Sequence, residues 1–351
     1  MTAGWGAMTE SAAARALAHM IASGRLPHAL LLAGPAQVGK AQLATALSQA
    51  LNCDAGALGP GDPCDECRPC QRIAAGRHAD VEVVAPGGIC RESDHDHSRG
   101  TSIGICQIRR LEMQAALNPY EGRRRVFVID PADAMTNEAS DAFLKTLEEP
   151  PDAVTLVLVT DSPARLSETV RSRCRRIDVA PLRREALAAR LAGTDDVTPE
   201  DADALARMAR GRAGWALSAI AEGDPLAQRR AAIENLRQLS AGSAGQRLEF
   251  AQSVTGRRGD LGPALEALEC WREWWRDVLR VRLGVGTGLT HEFLRAELEA
   301  DAPRYRPDEV AAFLRELRRT EELLRIDVRA QVALEALMLA APRPAAERSA
   351  A

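Results

Sequence analysis

The chain has 351 residues, of which 46% are apolar and 27% charged, with a formal net charge of −4. At about 150 residues per domain this length exceeds one ordinary domain, and the slight acidity excludes a strongly basic nucleic-acid binder taken as a whole. Eight cysteines in so long a chain do not make a disulfide scaffold. The opening residues carry no secretory pattern, and apolar runs such as Ala29–Ala33 fall far below membrane length, so no membrane association and a cytoplasmic location are expected. Aromatics supply only 3% of residues, so the core must be built from Leu, Ala, Val and Ile. The lysines are Lys40 and Lys145; all other basic side chains of this type are Arg.

In chain order, residues 11–22 are a helical candidate and residues 26–33 a compact strand. A Gly-rich turn and a helix over 40–51 follow. A polar stretch, 53–77, interrupts the pattern before a strand at 80–85. Residues 86–104, rich in Gly, Ser, Asp and His, read as a loop. A helix over 105–117 precedes the nearly continuous apolar run 125–130, as expected for a strand covered on both faces. A helix at 137–147, a strand at 154–160, a helix at 166–170 and a short strand at 176–179 complete an alternation that implies a parallel sheet with helices on both sides. Pro181-Leu182 marks a boundary. Short helices occupy 183–222, and longer ones follow from about 225. The clearest is 261–283, with Leu265, Leu268, Trp271, Trp275, Val278 and Leu279 mostly three or four apart. Trp271, Trp274 and Trp275 fall on more than one face of that helix, so some should pack in the core and others fill an interface.

The turn after the first strand reads Gly34-Pro35-Ala36-Gln37-Val38-Gly39-Lys40-Ala41. A strand–loop–helix context with G-x-x-x-x-G-K is the cradle of a phosphate loop, whose backbone N–H groups hold phosphate while the Lys neutralises it. Ala41 replaces the hydroxyl that normally binds magnesium. Asp130 ends the 125–130 strand where a magnesium-orienting acid belongs, but Pro131 follows it where a water-polarising acid is expected. Asp133 has a carboxylate at the wrong offset. The loop therefore reads as a phosphate-binding fold without intrinsic hydrolysis, and bound ATP without turnover stays open.

Cys53 is followed, after a ten-residue gap, by Cys64-Asp65-Glu66-Cys67-Arg68-Pro69-Cys70. Four thiolates at this spacing suit a closed, tetrahedral, structural Zn2+ site; unrelated reduced thiols or an iron–sulfur cluster are the other readings. Asp94-His95-Asp96-His97 is a weaker metal candidate, better read as a solvated loop. Cys174 and Cys270 read as ordinary buried or half-buried thiols.

Two more motifs, Leu144-Lys-Thr-Leu-Glu-Glu-Pro-Pro151 and Ser172-Arg173-Cys174, complete a recognisable set. With the phosphate loop, the cysteine cluster and the acidic strand, they resemble the delta-prime family of bacterial DNA polymerase III clamp-loader subunits. The likeness is strong over 24–182 and weaker beyond. It implies an α/β P-loop, AAA+-like parallel-sheet module at 1–180 with a small zinc module around 53–70, a helical lid at 181–224 and an all-α collar at 225–351. It also implies delta and gamma/tau subunits as partners, with the sliding clamp and primed DNA met through the assembly. Arg173 matches the arginine presented in trans to a neighbour's ATP, and Thr160 matches the sensor position at a strand end. Without the family, Arg173 reads as a helix-end carboxylate partner. Gly214 stands where active relatives place a sensing Arg, with Arg212 nearby but out of register. Gly34, Gly39, Lys40, Asp130 and Thr160 thus form a degenerate nucleotide site. Two other functions are compatible with the residues alone: an autonomous gamma-like ATPase, and a zinc-containing nucleotide-binding adaptor outside replication.

Overall fold

The computed structural model describes residues 4–5, 8–9, 11–54, 61–90, 100–194, 197–254, 261–324 and 329–344. The chain divides into two compact units, Met1–Arg183 with Gly211–Trp215, and Arg184–Arg210 with Ala216–Ala351. The Asp94–His97 motif lies outside the described residues.

The first unit follows the alternation read from the sequence: α1 (Ala12–Ala22), β1 (Ala29–Ala33), α2 (Lys40–Asn52), α3 (Arg68–Ala74), β2 (Val81–Val84), α4 (Ile105–Ala115), β3 (Arg125–Ile129), α5 (Asn137–Glu148), β4 (Val154–Thr160), α6 (Glu168–Arg173) and β5 (Arg175–Asp178). All strand pairs are parallel, in the order β2-β3-β4-β1-β5. This is the AAA+-like P-loop sheet that the motifs implied. Side chains alternate between faces as a pleated strand requires. Leu30, Leu32, Val126, Val128, Val157 and Val159 pack on α1 and α2. Ala29, Leu31, Phe127, Ile129, Leu156 and Leu158 face the side of α4 and α5, with Ile108, Leu111 and Phe143.

Two local readings change. Helix α6 starts later than expected, because Ser167 caps it and accepts a hydrogen bond from the Val170 amide at 3.4 Å. Helix α3 lies within the stretch taken as merely polar; Pro69 falls in its first turn, and Cys70 and Ile73 are its buried residues.

The second unit holds α7 (Arg184–Leu191), α8 (Pro199–Ala209), α9 (Ala213–Ala221), whose residues up to Trp215 count with the first unit, α10 (Pro225–Ala241), α11 (Ala244–Val254), α12 (Gly262–Arg282), α13 (Arg295–Asp301), α14 (Pro307–Leu324) and α15 (Ala330–Leu339). Helix α12 is central and touches α10, α11, α13 and α14. It is therefore covered on several sides, and Trp271, Trp274 and Trp275 are all buried within this unit. Trp275 meets Tyr305 edge-on, with ring centroids 4.8 Å apart.

Three buried polar groups tie this unit together. Arg247 is 1% exposed and donates to four carbonyls, those of Leu239, Ser240, Met338 and Ala341, at the ends of α10 and α15. Glu273, fully buried, pairs with Arg229 and Arg210, each at 3.0 Å. Asp277 accepts from the amides of Thr290 and His291, each at 2.9 Å, and lies 3.0 Å from His291 Nδ1.

Arg247→Met should lower the stability of the chain by about 3 kcal/mol in denaturant melts, because it leaves buried carbonyls without donors. The Asp277–His291 pair makes this unit acid-labile. Burial holds His291 below its usual 6.5, against the opposing pull of Asp277. Burial pushes Asp277 up, but the His291 contacts and Arg276 outweigh it and hold the carboxyl below 3.8. Both contributions are present at neutral pH. The histidine part is lost as pH falls from about 6.5 through the depressed folded value, and the aspartate part below about 3.8. Thermal melts across this range should show the decline, and His291→Gln should flatten its upper part.

Candidate nucleotide-loop, cysteine and arginine sites

The strand register brings the phosphate-loop candidates to one edge. Ala33 pairs with Thr160 on one side and with Asp178 on the other, so the carboxyl ends of β1 and β4 lie together. Gly34 donates to the Thr160 carbonyl at 3.3 Å. A Cβ at Gly34 would sit 2.2 Å from the Val179 carbonyl oxygen, so only glycine turns the chain here. Gly39 precedes α2 as its N-cap, and Lys40 opens the helix.

Lys40 points back into its own loop. Its Nζ donates to the carbonyls of Gly34 at 2.9 Å and Pro35 at 2.5 Å, and forms an ion pair with Asp161 at 2.5 Å. The side chain is only 4% exposed. Asp161 had no slot in the motif rule; its only sequence signal is its position directly after Thr160 at a strand end. Thr160 is buried, donates to Asp133 Oδ1 at 2.6 Å and accepts from the Ser162 amide at 3.0 Å. Burial raises the Asp130 carboxyl above its usual range; Asp161 and Asp133 add to this, while Lys40 opposes it. Gly34, Lys40 and Thr160 thus meet where β1 and β4 end, and Asp161 and Asp133 pair with the Lys40 and Thr160 side chains.

The segment at 211–215 also meets this loop. The Gly214 amide donates to the Gln37 carbonyl at 2.9 Å. A Cβ at residue 214 would lie 2.9 Å from the same oxygen, so glycine permits the contact that any side chain would push apart. Arg212 lies over the Trp215 ring, 5.6 Å from its centroid.

Cys53, Cys64, Cys67 and Cys70 converge, with all four sulfurs within 4.8 Å of one another. Cys53 ends α2, Cys67 caps α3 and Cys70 lies in its first turn. Tetrahedral Zn–S bonds of about 2.3 Å place sulfurs about 3.8 Å apart; Cys53 and Cys67 are at 4.0 Å. The Cys67 amide donates to the Cys64 sulfur at 3.2 Å. Gln49 Nε2 on α2 donates to the Cys70 carbonyl at 3.0 Å and to Asp65 at 3.2 Å, a supporting contact that spacing alone did not reveal. Burial pushes the Cys64 and Cys70 thiols up, and neighbouring sulfurs add to the effect. A bound cation reverses that balance, since it coordinates the thiolate form. The donor set can therefore hold a metal ion such as Zn2+.

Arg173 ends α6 at the surface. Its Nε and Nη2 both donate to Glu148 Oε1, at 2.9 and 2.5 Å, and its Nη1 donates to the Thr169 carbonyl at 3.0 Å. The two side chains are 36% and 51% exposed. The carboxylate-partner geometry read from the isolated motif is thus present. Cys174 beside it is half-buried, and burial pushes its thiol up to about 12.

A family model described as "DNA polymerase III, delta subunit" matches residues 9–183. The delta-prime subunit of Bacillus subtilis is 28% identical over 329 residues, covering 92% of this chain and 93% of that protein. The chain belongs to the DNA polymerase III clamp-loader delta-prime family. The delta-prime subunit of Pseudomonas aeruginosa is 37% identical over 147 residues, 42% of this chain and 41% of that protein. Escherichia coli tau is 30% identical over 322 residues, 87% of this chain and 46% of that protein. The chain thus spans nearly all of the Bacillus relative but less than half of the other two. A solved gamma-subunit-related protein of Thermotoga maritima covers 93% of this chain and 97% of its own, at 16% identity and a TM-score of 0.43. Among the described residues no helix is long and apolar enough to cross a membrane.

Metal analysis of the freshly purified protein should return about one zinc per chain. Cys70→Ser, or chelation under denaturing stress, should lower the melting temperature of the chain. Zinc near zero with all four thiols reduced would reject the site.

Proposed function

We propose that this delta-prime-type chain is the stator of a clamp loader, cytoplasmic and largely without catalysis of its own. It assembles with delta and gamma/tau subunits and meets the sliding clamp and primed DNA through them. Residues 181–224 serve as a lid and residues 225–351 as the collar that holds the ring. The Cys53, Cys64, Cys67 and Cys70 thiolates hold a structural Zn2+. Its closed coordination leaves no open position for substrate.

The observation that carries this reading is the contrast between two cations. Lys40, the residue that would neutralise a local nucleotide, is buried and already paired with Asp161. Arg173, which an adjoining subunit could reach, stands at the surface. Ala41, Pro131 and Gly214 weaken the local site further, so ATP is at most bound here and not turned over. Arg173 acts in trans: its guanidinium meets the γ-phosphate of ATP held by the neighbouring gamma/tau subunit and stabilises the charge that develops during transfer. An arginine in this role is worth about 10³–10⁵ in rate at the site it serves.

The purified chain alone should show no ATP turnover above background; turnover comparable with an active gamma motor would reject the stator reading. In the assembly reconstituted with delta and gamma/tau, Arg173→Ala should remove the turnover of the adjoining site, a loss of about 10³-fold there. Its melting curve should stay unchanged, since the residue is half exposed. Unchanged ATPase of the complex would sink the assignment of Arg173, and failure to form a mixed ring by native mass measurement would reject clamp loading.

A further inference from the structure

The guanidinium of Arg173 is held by contacts from its own chain. Nε and Nη2 converge on a single oxygen, Glu148 Oε1, and Nη1 is tied to the Thr169 carbonyl. Arg carries five N–H donors in a rigid plane. These three bonds and a longer one from Nη1 to Ser172 Oγ at 3.5 Å fix that plane and leave the second N–H of Nη2 at its outer end. Both anchors are themselves fixed. Thr169 is in the helix that bears Arg173, and Ser167 caps that helix. Glu148 closes α5, whose Thr136 N-cap accepts from the Ala139 amide at 3.2 Å. Helices α5 and α6 pack against each other, with Phe143, Leu147 and Val170 buried in one cluster. The carboxylate therefore reaches Arg173 from a separate, rigid element 25 residues away in sequence.

We propose that Glu148 is a positioning residue: it orients Arg173 so that the outer N–H of Nη2 faces a polyphosphate carried by an adjoining subunit. This rests on the in-trans reading of Arg173 above. A long Arg side chain free in solvent loses rotamer entropy when it docks. A pair that has already ordered it lowers that cost at the moment of reaction. With both partners well exposed, the pair contributes little to folding stability; its effect lies in orientation. The second acid of the motif, Glu149, makes no such contact in this arrangement, which separates two chemically identical neighbours.

The test uses the assembly reconstituted with delta and gamma/tau, and reads the Arg173-dependent turnover, defined as the rate that Arg173→Ala removes. Glu148→Ala should cut that component about 10-fold in kcat, with the KM for ATP unchanged and the melting curve of the chain unmoved. Glu148→Gln, which keeps an acceptor oxygen for Nε, should restore most of it. The double variant Glu148→Ala/Arg173→Ala should be no slower than Arg173→Ala, and Glu149→Gln should have no effect. A large loss with Arg173→Ala but none with Glu148→Ala would overturn the positioning role alone. A gain in turnover with Glu148→Ala would overturn it too, because the carboxylate would then be restraining the arginine. An Arg173→Ala assembly as active as the unmodified one would bring down both readings.

Discussion

A lysine ammonium removed from water carries a desolvation cost of several kcal/mol unless charge and hydrogen bonds offset it. Lys40 is 4% exposed, and the offset comes from the chain itself: Asp161 supplies the charge, and Gly34 and Pro35 supply two carbonyls. The sheet register makes this possible. Because Ala33 lies opposite Thr160, the residue after β4 is placed beside the loop that follows β1. The same register sets Gly34 against Val179 and draws the Thr160 hydroxyl to Asp133. The charge that the lysine of a phosphate loop offers to phosphate is met in this structure by Asp161. The cradle becomes a corner on which the sheet edge, α2 and the Gly211–Trp215 segment all bear.

Lys40 and Arg173 are both cations on carboxylates, and burial makes them different. Asp161 is 56% exposed, but Lys40 itself is only 4% exposed and is held by the Gly34 and Pro35 carbonyls as well. An exposed pair is worth only about 0–1 kcal/mol, so it orients the arginine while adding little to the stability of the fold. Lys40 is thereby held inside its own loop, whereas Arg173 stays oriented at the surface. Asp80 belongs with the first kind. Burial would raise it, yet amides of Tyr120, Glu121 and Gly122 and the Arg125 guanidinium hold its carboxyl down at about 2. That fixes the entry to β3 and hence the height of Asp130 at the other end.

The strands and most helices of the first unit were legible because a doubly covered sheet demands long apolar runs. Leu30–Leu32, Val126–Ile129 and Val154–Val159 have no competing reading. The four cysteines were legible because metal chelation fixes their spacing. Helix α3 was not, since its stability comes from Cys70 and Ile73 packing and from the cysteine cluster around it, and a seven-residue polar stretch shows no helical period of its own. Asp161 and Glu148 were invisible as partners for a related reason. Each meets its cation across elements far apart in the chain, so the pairing belongs to topology. The tryptophans of α12 were read as divided between core and interface, because one helix cannot show from its own sequence how many neighbours surround it.

Helix α2 connects these parts. Its 13 residues span about 20 Å, from the Gly39 cap at the phosphate loop to Cys53 at the cysteine cluster. Gln49 reaches from it to Cys70 and Asp65, and the Asn52 side-chain oxygen accepts from the amides of Arg123 and Arg124, at 2.9 and 3.0 Å, just before β3. Cys53, Cys64 and Cys70 form a small buried cluster of their own, apart from the two faces of the sheet. The segment between α2 and β2 has few apolar side chains with which to hold itself against that helix. A cation on the four sulfurs would supply the cohesion that packing does not. Its effect would reach along α2 in both directions, to the helix whose near end carries Lys40 and to the Asn52 contacts just before β3. A metal held there would act on the phosphate loop through the position of a single helix.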